Sequence, residues 1–142
     1  MSLENISKRI KEHRRYLHTI PELGFEEFKT SKYIREELEK MGYSPISILE
    51  TGTLVFIEGD GSSNETYAFR ADIDALPIEE ETGVDFISTH QGKMHACGHD
   101  MHASMMLMCA KLLKQNEKKL KGQIKIVFQP HEEGLVGCKM MI

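Results

Sequence analysis

The densest chemistry in this sequence is Met94-His95-Ala96-Cys97-Gly98-His99-Asp100-Met101-His102, which gathers three of the seven histidines beside a cysteine and an aspartate. In an extended segment residues i and i+2 project from one face, so Cys97 and His99 can converge on a point while Gly98 lets the backbone or an ion come close. A thiolate and an imidazole suit a borderline-soft divalent ion such as Zn²⁺, with Mn²⁺, Co²⁺ or Ni²⁺ as alternatives. Two donors do not define a site, and a buried structural cysteine beside capping polar residues is the commoner meaning of an isolated Cys-X-His.

A second segment, Phe128-Gln129-Pro130-His131-Glu132-Glu133-Gly134, places two carboxylates just beyond an apolar strand, where α/β proteins usually build their sites. Neighbouring side chains of an extended chain diverge, so one carboxylate can face a metal while the other faces substrate and a bound water. Metal-assisted hydrolysis needs that division between an oxygen ligand and a general base. Taken alone, the pair also fits an exposed helix start favoured by the helix dipole. A third segment, Arg70 to Pro77, ends a strand with Arg70, Asp72 and Asp74 expected on one face. A carboxylate there can hold a ligand imidazole in one tautomer, or simply form a surface pair with Arg70.

Together these segments, with Arg14-Arg15-Tyr16-Leu17-His18 and Pro21-Glu22-Leu23-Gly24 ahead of them, resemble the M20 metallopeptidases and amidohydrolases. The likeness is to the subfamily of N-acyl amino acid amidohydrolases, hippurate hydrolases and auxin-conjugate hydrolases. It implies a site with two divalent metals, Zn²⁺ or Mn²⁺ with Co²⁺ or Ni²⁺ as alternatives. Cys97, His99 and Glu133 are then ligands, Glu132 the general base and Asp74 the supporting carboxylate. The implied substrate is a small N-acyl amino acid, hydrolysed by metal-activated water. His131 stands where the family usually has a small residue. The resemblance also implies that residues 1–142 are the N-terminal portion of the catalytic domain, that a lid and dimerisation domain is absent, and that further histidine ligands lie downstream. His13, His18, His90, His95 and His102 are read as packing or supporting residues.

These segments need a scaffold, and the spacing of apolar residues predicts one. Ile6, Ile10 and Leu17 recur at near-helical intervals over Glu4 to His18, and a second helix is expected over Glu26 to Met41, burying Phe28, Tyr33, Ile34, Leu38 and Met41, with Gly42 to end it. Thr53 to Glu58 and Thr66 to Ala71 read as strands joined as an antiparallel hairpin through residues 59–64. Asp100 to Leu113 is apolar on most sides, predicting a fully buried helix. Gln123 to Gln129 reads as a strand buried on both faces, and Gly137 to Ile142 as the opening of another helix. Alternation of strands and helices gives an α/β class, a three-layer sandwich with a mixed central sheet of the zinc-exopeptidase kind, incomplete at its C-terminal end.

At 142 residues the chain is one domain or less, and 28% charged against 40% hydrophobic residues describes a globular protein, not a disordered tail. A formal charge of −4 offers no basic face for nucleic acid. No apolar run is long enough for a membrane span, and the polar start of the chain predicts no secretory leader, hence a cytoplasmic location. Three cysteines, an odd number, fit reduced thiols or a metal ligand better than a disulfide framework. No Cys-X-X-Cys is present for redox work. A rival reading is a truncated fragment that folds without turnover and buries its spare apolar surface by self-association into a homo-oligomer.

Overall fold

Two amphipathic helices lead into a mixed sheet in this computed structural model, which describes residues 2–141. The first, α1 (Leu3–Thr19), starts at Ser2, whose hydroxyl accepts the Asn5 N–H at 3.3 Å. The second, α2 (Phe28–Lys40), closes through Gly42 at φ +87°, where the Gly42 N–H donates to Glu39 O and the Tyr43 N–H to Leu38 O. That pairing is a Schellman ending, which glycine's freedom at positive φ makes inexpensive. The buried stripe of α2 is Thr30, Ser31, Ile34, Glu37 and Leu38. Phe28 lies off it and is 55% exposed, contrary to its expected burial.

Four strands follow: β1 (Ile46–Ile48), β2 (Gly52–Glu58), β3 (Thr66–Asp72) and, after helix α3 (His99–Gln115) and a 3₁₀ turn at Glu117–Lys119, β4 (Gln123–Gln129). Their spatial order is β1-β2-β4-β3. The expected hairpin between β2 and β3 is therefore wrong. The connection through residues 59–65 leaves a gap that β4 fills, antiparallel to β2 (Val55 opposite Ile126) and parallel to β3 (Phe69 opposite Ile126). A parallel partner needs a long crossover, which α3 provides, and β4 gains two ladders where the hairpin would have offered one. β1, too short to stand out by periodicity, pairs with β2.

The core lies on the helical side of the sheet, where Val55, Ile57, Ile124, Ile126 and Phe128 meet Leu17, Ile34, Leu38, Ala103, Leu107 and Ala110. Burying such side chains contributes roughly 1.5–3 kcal/mol each. β4 alternates, with Ile124, Ile126 and Phe128 buried and Lys125 and Val127 half-covered, so it is dry on one face only. Among the described residues the other face is uncovered, with Leu54 half-buried and Phe56 36% exposed. The α/β class and the mixed sheet stand as expected, with this helical layer on one side. α3 is not buried all round: Met101 and Met105, four residues apart on one side of the helix, are 37% and 46% exposed. α4 (Gly137–Met141) begins where the composition predicted a helix. Among the described residues no helix is long and apolar enough to cross a membrane.

Candidate metal centre

The C-terminal end of β3, the start of α3 and the turn after β4 meet at one edge of the sheet. Between Cys97 and His99 the chain is not extended: Gly98 has φ +92° and is the N-cap of α3, so the two side chains converge through a left-handed kink into a helix. A Cβ on Gly98 would touch nothing within 4 Å. Glycine meets the need for a left-handed backbone angle at this position.

His99 is 2% exposed, and its Nδ1–H donates to the Asp74 backbone oxygen at 2.9 Å and to Asp74 Oδ1 at 3.1 Å. Both partners are acceptors, which puts the proton of the neutral ring on Nδ1 and leaves the Nε2 lone pair facing the cluster. Asp74, 1% exposed, also accepts the Glu133 N–H on Oδ2 at 3.0 Å, so one carboxylate holds both the imidazole and the acidic turn. It lies two residues past the end of β3, whereas Arg70 and Asp72 share a face within the strand and approach to 3.4 Å.

Glu132 and Glu133 sit in a turn entered through His131 at φ +51° and closed by the Leu135 N–H donating to Glu132 O at 2.9 Å. Glu132 Oε2 and Glu133 Oε1 each lie 3.8 Å from His99 Nε2, so both carboxylates face the same nitrogen. Donor atoms of Cys97, His99 and Glu133 all lie within 4.8 Å of one another. This thiol, imidazole and carboxylate set fits a divalent ion of the zinc type. Glu132 stays outside that trio, its Oε1 3.9 Å from Arg70 Nη2.

Electrostatics describe a site short of positive charge. The Cys97 thiol is pushed up by its bond to the Glu133 carboxylate, by burial, and by the charges of Glu133, Glu132 and Asp72. Burial works to raise Asp74, yet its bonds from His99 and from the Glu133 and Glu132 amides outweigh that and hold it low. For His99 burial pulls downward, but the Asp74 bond and the Asp72 charge leave it raised. His95, 4% exposed, is held down to about 4 by burial, so it adds no charge beside the cluster.

Two supporting contacts are not predicted by the sequence, although His18 reads there as a packing or supporting residue. His18 Nδ1 is 2.7 Å from Asp100 Oδ2, its Nε2 is 3.1 Å from Glu80 Oε1, and Arg14 Nε is 2.9 Å from the same Asp100 oxygen. This buried network ties α1 to the first turn of α3, directly after His99. The second support is the segment Gly24 to Glu27. Glu27, fully buried, accepts the His131 N–H at 2.9 Å, and the His131 ring stacks on Phe25 at 4.4 Å. Burial raises Glu27 against the pull of the amides that face it, His131 among them. Only the clustering of motif residues near the N-terminus hinted at either contact.

Comparison with known proteins accords with this arrangement. The chain is 45% identical to an N-acetyl-L-cysteine deacetylase of Bacillus subtilis over 143 aligned residues, covering 100% of this chain and 34% of that protein. It is 46% identical to an IAA-amino acid hydrolase of Arabidopsis thaliana, covering 91% of this chain and 29% of the relative. A Bacillus subtilis crystal structure described as a dinuclear metal-binding peptidase superposes with TM-score 0.93 at 40% identity, covering 99% of this chain and 39% of that one. The chain thus spans about a third of the length of the relatives it matches. The profile of peptidase family M20/M25/M40 matches residues 68–142, which include most of β3, all of α3 and β4 and every residue of the cluster, and the chain belongs to that family.

Proposed function

We propose that this chain carries the first part of the active site of a metal-dependent amidohydrolase that cleaves the amide bond of N-acyl amino acids. The observation that carries the reading is the His99–Asp74 lock, which aims a lone pair at the point where Cys97 and Glu133 also converge. Relatives named as an N-acetyl-L-cysteine deacetylase, an N-acetyldiaminopimelate deacetylase and an IAA-amino acid hydrolase support the substrate class.

Cys97, His99 and Glu133 would hold a divalent ion, which when bound makes a water acidic and polarises the scissile carbonyl. Glu132 is the general base: it accepts the proton of the attacking water and returns it to the leaving nitrogen. Arg70 Nη2, 3.9 Å from Glu132 Oε1, helps to orient that carboxylate. Asp74 keeps the His99 proton on Nδ1 throughout. A complete site holds two ions, Zn²⁺ or Mn²⁺ with Co²⁺ or Ni²⁺ as alternatives, in keeping with the dinuclear relative. On this reading residues 1–142 are the N-terminal portion of the catalytic domain, and the remaining ligands and the lid and dimerisation domain belong to the rest of a longer protein. The three free cysteines fit the reducing cytoplasm.

The test is hydrolysis of a panel of N-acyl amino acids by a longer form of the protein loaded with Zn²⁺ or Mn²⁺. Glu132→Gln should lower kcat by about 10²–10⁴-fold with metal content unchanged; full activity in that variant contradicts the assignment. A fragment without turnover is the second reading, favoured by the three donors that the Cys97 cluster offers among the described residues. It predicts metal binding by the 142-residue chain without hydrolysis.

A further inference from the structure

We propose that Asp72, His99 and His102 form a second, thiol-free cation seat, which competes with the Cys97 seat for the same nitrogen of His99. The inference rests on the reading of Cys97, His99 and Glu133 given above, and it adds a destination for ions that do not favour sulfur.

His99 and His102 lie one turn apart on α3, with ring centroids 5.7 Å apart and planes inclined by 29°. Across from them, at the end of β3, Asp72 Oδ1 is 2.7 Å from His102 Nδ1 and 3.6 Å from His99 Nε2. Donor atoms of the three residues lie within 4.8 Å of one another. Arg70 stands 3.4 Å from the other carboxylate oxygen, Oδ2, which leaves Oδ1 as the free donor. A bound ion would replace the hydrogen bond between His102 and Asp72, with the neutral His102 ring carrying its proton on Nε2.

The seat is reachable. His102 is half-exposed, and Asp72 and His102 line an open cleft of about 390 Å³ together with Arg70, Met105 and Cys109. Two imidazoles and a carboxylate form a nitrogen and oxygen set that suits Mn²⁺, Fe²⁺ or Ni²⁺, whereas the thiolate of Cys97 favours Zn²⁺ and Co²⁺. Because His99 Nδ1 is committed to Asp74, its single free lone pair serves one ion at a time. Within this chain the two seats are alternatives, and the hardness of the ion selects between them.

The experiment titrates the 142-residue chain with Co²⁺ alone and with Mn²⁺ alone, reading stoichiometry by calorimetry and the thiolate-to-cobalt charge-transfer band by absorbance. The wild type should bind one Co²⁺ with the band. His102→Ala should keep both band and affinity, since His102 is no part of the Cys97 seat. Cys97→Ser should still bind one Co²⁺ without the band, and Cys97→Ser/His102→Ala should weaken that residual binding at least tenfold, as should Asp72→Asn in the same background. Mn²⁺ affinity should fall with His102→Ala and be indifferent to Cys97→Ser. The proposal is overturned if Cys97→Ser binds no Co²⁺, if adding His102→Ala changes nothing, or if the wild type binds two ions at once. A wild type without the thiolate band contradicts the Cys97 reading instead, and the His102 comparison still decides the second seat. Circular dichroism of each variant confirms that the fold persists, as the exposure of His102 leads us to expect.

Discussion

Asp74 accepts hydrogen bonds from the His99 ring on Oδ1 and from the Glu133 amide on Oδ2, so a single buried carboxylate sets the geometry of two of the three metal-ligating candidates. Replacing it by asparagine keeps the shape but removes the charge and turns one oxygen into a donor that cannot accept the bond. Loss of such a supporting carboxylate typically costs 10–100-fold in metal affinity. We expect Asp74→Asn to weaken Zn²⁺ binding by roughly that factor, measured by competition with a chromophoric chelator. Undiminished affinity would show that His99 needs no such support.

Gly24 and His131, far apart in sequence, share one space. A Cβ on Gly24 would fall 1.7 Å from His131 Nδ1 and 2.9 Å from its Cβ, so the whole imidazole would have to leave its stack on Phe25. Gly24→Ala should therefore destabilise the chain by about 1–3 kcal/mol, the usual cost of overpacking, and disturb the Glu132-Glu133 turn. Adding His131→Ala should recover most of that loss in a urea titration. If the double variant is no more stable than Gly24→Ala alone, the clash is not the cause.

Acid should weaken the fold through His13. This ring is 1% exposed, and burial, followed by the charge of Arg9, lowers its pKa from the ordinary 6.5. The unfolded chain takes up the proton first as the pH drops, so the contribution is complete above about pH 6.5 and is lost as the pH falls toward the lower folded value. Urea midpoints at pH 7.5 and pH 5.5 should differ less in His13→Gln than in the wild type. An unaltered difference would assign the acid sensitivity to other groups.

Much of the scaffold could be read from spacing alone. The two leading helices, the runs that become β2, β3 and β4, and the start of α4 all follow from apolar periodicity and glycine placement. What failed was pairing. Nothing in Thr53 to Glu58 and Thr66 to Ala71 reveals that β4 will lie between them, because strand order is decided by long-range competition for ladders. The apolar richness of α3 concealed which side would stay open, and Met101 and Met105 look like core residues until their neighbours are known. At the site, Cys97, His99 and Glu133 were each suspected, and their convergence is seen in the fold. The route differed from expectation, through a left-handed glycine and a turn in place of extended chain. The Asp100–His18 and Glu27–His131 contacts join residues 82 and 104 positions apart, and no local pattern reports them.

On the proposed reading one divalent ion sits between Cys97, His99 and Glu133. Zinc-edge X-ray absorption of the Zn²⁺-loaded chain measures its donors directly. We predict a shell with one sulfur at about 2.3 Å and nitrogen or oxygen neighbours at about 2.0–2.2 Å, with the sulfur lost in Cys97→Ser. A wild-type shell of nitrogen and oxygen alone would rule out Cys97 as a ligand.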